Sequence, residues 1–148
     1  MMTIEAMVDH MTADLLPSEV PAVPQPCPEQ SIMQAEAAFK QALGVEFPEV
    51  YKRILRRANG VMYNGLTIWP AVSEPLFQET LLEANNDLRD AFSEEFIYFG
   101  QLDEELYVLQ LNSQTYCAIE FVGKPIWKRF RDAHEMFEFM LNRAFSPG

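Results

Sequence analysis

The sequence predicts an α+β fold: a central antiparallel β-sheet meander flanked by N-terminal helices and a C-terminal helix. Two observations carry this. Apolar residues recur with helical spacing before residue 92 and again after residue 131. Between them, FIYFG, ELYVLQL, TYCAIEFV and PIWKRF are four short runs rich in aromatic and β-branched residues, which is strand chemistry. Helices grouped before and after one antiparallel sheet make an α+β architecture. The 148 residues, 49% of them apolar, fit a single domain spanning 1–148, long enough to bury roughly two thirds of its unfolded surface.

The elements follow in order. Over residues 2–16, Ile4, Met7, Val8, Met11 and Leu15 share one helical face. The connector at 17–28 carries Pro17, Pro21, Pro24, Pro26 and Pro28. That density forbids a helix and favours stiff, extended chain. A second helix starts near Pro28 and presents Ile32, Ala35, Phe39, Ala42 and Leu43, with Gly44 as its stop. The third, PEVYKRILRRA, sets Tyr51, Ile54, Leu55 and Ala58 against Lys52, Arg53, Arg56 and Arg57. A fourth helix is expected to start near Ser73–Pro75 and end near Arg89–Ala91. In the closing helix, Asp132 and Glu135 have capping-box spacing. Asn112-Ser113 and Gly123-Lys124 suit turns, the latter a tight II′ hairpin turn.

The stretch NGVMYNGLTIWP at 59–70 needs separate treatment, because its glycines have the spacing that begins a phosphate-binding loop. Leu66-Thr67 stands where that loop needs Lys-Ser/Thr, and the loop runs from helix to strand, the reverse of the required order. Backbone roles account for both Asn-Gly pairs. Asn59-Gly60 suits a left-handed cap on the third helix. Asn64-Gly65 suits an I′ turn between two short strands, VMY and LTIW.

No catalytic or metal-binding set emerges, and no cofactor is expected. HEMFE at 134–138 ends in Glu138 where a zinc protease needs a second His. His10 and His134 are the two histidines, and G-x-S-x-G is absent. Cys117 and His134 form a conceivable nucleophile pair, but Cys117 alternates with Ile119 and Phe121 on an expected core face. The carboxylate runs Glu94-Glu95 and Asp103-Glu104-Glu105 resemble solvated loops more than a hydrolytic pair, which needs a raised pKa from burial.

Charge narrows the partners. A net charge of −11 disfavours nucleic acid and anionic membranes, where cations must meet phosphates. The two cysteines form no C-x-x-C pair, the N-terminus lacks a basic leader region, and no apolar run approaches a membrane span. A reduced, cytoplasmic setting is expected. Residues 1–39 hold six acids and no Lys or Arg, and residues 71–111 hold ten acids against Arg89 alone. The cations concentrate at 40–57 and 124–131. Such sectors either steer a charged protein partner or complement each other across the fold.

The order of elements resembles the SUKH superfamily, closest to its YrhA-like branch. LGVEFPEVYKRILRRANG (43–60) is similar to a helix end, Leu-Gly-x-x-hydrophobic-Pro-x-x-Tyr, and a helix closed by Asn-Gly. NGLTIW (64–69) resembles the following turn and strand, with Trp where Tyr is common. LLEANNDLRD (81–90) resembles a helix with Asn-x-x-x-Arg character. IYFGQLDEELYVLQL (97–111) resembles the strand pair around Phe-Gly, and DAHEMFEFML (132–141) the closing helix. The resemblance covers residues 28–144, leaving helix 1–16 and connector 17–28 as an extension. It implies a bacterial immunity protein that blocks a cognate polymorphic or contact-dependent toxin domain, often a nuclease, without catalysis of its own. A protein-binding scaffold of the same fold is the alternative. A monomer or weak homodimer is expected. The expected contact residues are Asp87, Asp90, Glu94, Glu95, Asp103, Glu104 and Glu105, with Tyr63 and Trp69 as aromatic anchors.

Overall fold

The computed structural model describes residues 2–15, 18, 20, 22–123 and 125–145. The helices are α1 (Ile4–Ala13), α2 (Glu29–Leu43), α3 (Glu49–Arg57), α4 (Leu81–Ala91) and α5 (Ala133–Phe145). The strands are β1 (Val61–Tyr63), β2 (Leu66–Ile68), β3 (Phe96–Leu102), β4 (Glu105–Gln110), β5 (Thr115–Glu120) and β6 (Ile126–Arg129). All strands pair antiparallel in the order β1-β2-β3-β4-β5-β6, the meander read from the sequence.

Neighbouring residues on β3 show how the sheet is covered. Phe99 turns toward α3 and α5, with its ring centroid 6.5 Å from Tyr51 and 6.0 Å from Phe137. Tyr98 turns the other way, toward the end of α4, and its hydroxyl donates to Ser93 O at 2.8 Å. Tyr51, Phe99 and Phe137 are fully buried; each contributes about 1.5–3 kcal/mol by leaving water. The Tyr51 hydroxyl still finds a partner, donating to Trp69 O at 2.6 Å.

Helix α4 is stitched to β3 by the Asn-x-x-x-Arg pair. Buried Asn85 donates from Nδ2 to Leu81 O and Tyr98 O, and accepts from Tyr98 N at 2.7 Å. Arg89 donates to Phe96 O at 3.0 Å. The helix begins at Leu81, later than expected. Thr80 is its N-cap in a complete capping box with Glu83, so the chain from Glu74 to Glu79 is a turn-rich approach.

Other boundaries also shift. Helix α1 ends at Ala13, ahead of the proline-rich segment, with Ile4, Met7, Val8 and Met11 buried as expected. Ala42 of α2 is exposed rather than on the core face. Asp132 does cap α5 by accepting from Glu135 N, but the Glu135 carboxylate accepts from Arg131 N instead of the cap residue. The β5–β6 loop closes between Glu120 N and Pro125 O, so it is wider than a two-residue turn. Gly123 has φ +79° there, and Lys124 lies outside the described residues. Phe121 is 40% exposed against Phe92, while Cys117 and Ile119 are buried.

The two Asn-Gly pairs diverge. Asn64 and Gly65 have φ of 47° and 85°, as a type I′ turn requires, and Tyr63 pairs with Leu66. Asn59 is not a left-handed cap. Helix α3 ends through Ala58 in extended conformation, and the Asn59 N–H donates to Gln25 O of the connector. The Asn59 side chain is 5% exposed and braces the loop after β2. It donates to Val72 O at 2.9 Å and Glu74 Oε1 at 3.3 Å, and accepts from Ala71 N at 3.0 Å. Gly60 follows at φ +101°, where an added Cβ would strike the Phe77 ring.

Candidate partner-binding surface

Ion pairing divides the acidic chain into two regions. All four cations of α3 face carboxylates. Arg53 grips Glu5 through two bonds of 2.8 Å, and Arg57 meets Asp9. Arg56 reaches Glu29 and Glu49, and Lys52 meets Glu36 at 3.0 Å. The Arg53 guanidinium holds the Glu5 carboxyl down to about 2. Among the described acids before residue 50, Glu5, Asp9, Glu29, Glu36 and Glu49 thus complement α3. The ten acids of 71–111 do not. Among the described residues only Glu105 of this set forms an ion pair, with Arg143.

The sequence-predicted contact residues fall in separate places. Glu94 and Glu95 lie where β3 begins, whereas Asp103, Glu104 and Glu105 lie where it ends. Seven strand residues separate them by about 20 Å. Asp90, Glu94, Asp103 and Glu104 are exposed. Glu95 accepts from Gln110 Nε2 at 2.9 Å. Glu105 is held internally: it accepts from Arg143 at 2.9 and 2.6 Å and from the Tyr107 hydroxyl at 2.8 Å. Tyr63 also has an internal task. Its hydroxyl donates to Asp14 at 2.9 Å, and its ring lies 5.6 Å from Phe145, tying α1 to the hairpin and α5.

Trp69 and Asp87 meet across a cavity of about 400 Å³. Its floor is a row across three strands, Met62, Thr67 and Gln101, which are successive cross-strand partners. Trp69, Leu76 and Phe77 form an apolar side, and Leu88 and Asp87 of α4 face it. Glu79 belongs here too, and sequence reading missed it by placing residues 75–79 on a helix. Partial burial, followed by the nearby Asp87 and Glu83 carboxyls, pushes the Glu79 carboxyl up. Asn59 and Gly60 brace this wall through the loop and Phe77. Thr80-Glu83 was the available signal, since a capping box there releases 74–79 from the helix.

The remaining reactive candidates are apart. Cys117 and Tyr116 occupy successive strand positions and so face opposite sides of the sheet. His134 lines a cavity with Tyr116, on the side away from Cys117. Burial pushes the Cys117 thiol up to about 11, which disfavours the nucleophilic thiolate. Among the described residues, no group of three or more His, Cys, Asp or Glu is arranged to hold a metal ion. Nor is any helix among them long and apolar enough to cross a membrane.

A family model, the SMI1 / KNR4 family (SUKH-1), matches residues 26–142. The chain belongs to this family. The SUKH span contains the sheet, α2–α4, most of α5 and the whole Trp69–Glu79–Asp87 cavity, and leaves α1 outside. A crystal structure of a protein from Pseudomonas syringae pv. tomato shares the fold. It superposes with a TM-score of 0.59 at 19% identity, covering 88% of this chain and 92% of that one. No curated protein matches the chain. SUKH proteins are associated with immunity, bind toxin proteins and are generally not enzymes. Helix α1, outside that span, is docked by four buried apolar residues and by the Glu5 and Asp9 pairs to α3.

Proposed function

We propose that this chain is a bacterial immunity protein of the YrhA-like kind, acting in the cytoplasm. It binds the cognate domain of a polymorphic or contact-dependent toxin and blocks it without catalysis. Membership of the SUKH family carries this reading. The carboxylates left unpaired by the fold support a binding surface along α4 and the β3–β4 turn. A nuclease fits such a surface, because its cleft is basic to hold phosphates. Carboxylates laid over that cleft steer the encounter and exclude the substrate. A standard interface of about 1,600 Å² in total would extend well beyond any one cavity.

The test is co-expression with any toxin domain encoded beside this gene. Protection of the host and co-purification of a stable complex are expected. A toxin that kills unhindered and leaves the purified protein unbound refutes the reading. Binding to a non-toxin protein alone would favour the scaffold role instead.

A further inference from the structure

We propose that the cavity between β1–β2, the 76–79 turn and α4 receives one basic side chain, lysine or arginine, from the protein partner. The inference deepens the immunity reading and rests on it for the identity of the partner, though not for the chemistry of the pocket. At about 400 Å³, the cavity lies within the usual range for ligand pockets, about 300–1,000 Å³. Its two sides differ in the way a long cationic side chain requires. Trp69, Phe77 and Leu88 offer apolar contact to a methylene stem. Glu79 and Asp87 offer carboxyl oxygens to the charged head.

Those carboxyls face each other without a described cation in ion-pair range, and partial burial, followed by the nearby Asp87, makes Glu79 retain its proton more readily. Two carboxyls so placed are poorly satisfied by each other. An incoming ammonium or guanidinium supplies the missing positive charge. An anion would meet repulsion, and a purely apolar group would leave the carboxyls worse solvated than before. The aromatic side adds a cation–π component for the same class of head group. A protein side chain is favoured as occupant because the rim continues along α4 into exposed, unpaired Asp90. A basic surface could lie across that ridge while a single side chain enters.

The chain has two tryptophans, Trp69 and Trp127, which gives a direct assay. Trp127 lies against Phe139 of α5 and serves as an internal reference. The full-length protein would be titrated with N-acetyl-lysine methylamide while both indole N–H signals are followed by NMR. N-acetyl-norleucine methylamide supplies the same stem without charge, and magnesium chloride supplies charge without a stem. A saturating shift of Trp69 alone is expected with the lysine probe, with weaker responses to the other two. Half-saturation should rise about tenfold or more in Glu79→Gln/Asp87→Asn, as loss of charge-assisted hydrogen bonds implies. An unmoved Trp69 signal overturns the proposal. So does a norleucine response equal to that of lysine, which marks an apolar ligand pocket, or a dominant response to magnesium. These comparisons need only the native protein, so a misfolded variant does not shield the proposal. They also need no toxin: a failed immunity test leaves the pocket result standing, and a failed titration leaves immunity standing.

Discussion

The α1–α3 side and the α4–β3 side of this protein are both rich in carboxylates, and the fold treats them differently. On the first, a row of cations at Lys52, Arg53, Arg56 and Arg57 recurs with helical spacing and meets acids supplied by α1, α2 and α3 itself. On the second, α4 and the strands beside it contain almost no cations, so among the described residues only Glu105 finds an ion-pair partner. Net charge alone does not reveal this difference. The paired side spends its charge on holding α1 to the core, and the unpaired side retains a field available to a partner.

The largest expected effect tests what holds the unpaired side in place. If α4 is seated by its buried face, Asn85→Ala should cost about 2–4 kcal/mol, because it strands the Tyr98 N–H and C=O. Urea unfolding measures this; a loss below about 1 kcal/mol would break the assignment. Reversing the exposed Asp90, Glu94 and Glu104 to Lys should do the opposite. Stability should stay within about 0.5 kcal/mol, while association with a basic partner slows by about tenfold or more and loses its salt dependence. Stopped-flow association over a salt series reads both. Glu105→Lys is a poor choice for this test, since it would break the Arg143 pair.

Gly65→Val should cost about 1–3 kcal/mol, from positive φ and from contact with Asp103. An unchanged melting temperature would contradict the I′ turn. That turn was legible in the sequence because Asn-Gly is chemically tied to one backbone geometry. The strand order was legible for a similar reason, since short runs joined by short turns leave few ways to pair. Asn59-Gly60 was misread because the same dipeptide can act through its side chain, and only the fold places Val72 and Glu74 beside it. The cavity was only half legible. Trp69 and Asp87 stood among the expected contact residues, but their meeting depends on the crossing of α4 over β3. Glu79 was hidden by the misplaced start of one helix.

The smallest effects are pH-dependent and have opposite signs on the two sides. Glu5 is held down to about 2 by Arg53. The stability of that pair is present above the ordinary carboxylate range and is lost as pH falls from about 4.3 toward 2. As a half-exposed surface pair it should contribute about 0.5–1 kcal/mol, read as the difference between Glu5→Gln and the native protein at pH 6 and pH 2.5.

Glu79 is shifted upward, chiefly by burial and then by Asp87. Its folded form binds the proton more tightly than the unfolded chain does. Stability is therefore lost as pH rises from the ordinary carboxylate value through the raised one. Glu79→Gln should remove that loss, leaving the variant slightly more stable than the native protein at pH 7 and equal to it near pH 4. The gain should stay below about 0.5 kcal/mol, in the range of surface substitutions. Urea midpoints at the two pH values decide it. A variant less stable than native at pH 7 would mean that the Glu79 carboxylate supports the fold. The cavity would then be a structural feature of the α4 side, and its charge would no longer be available to a partner.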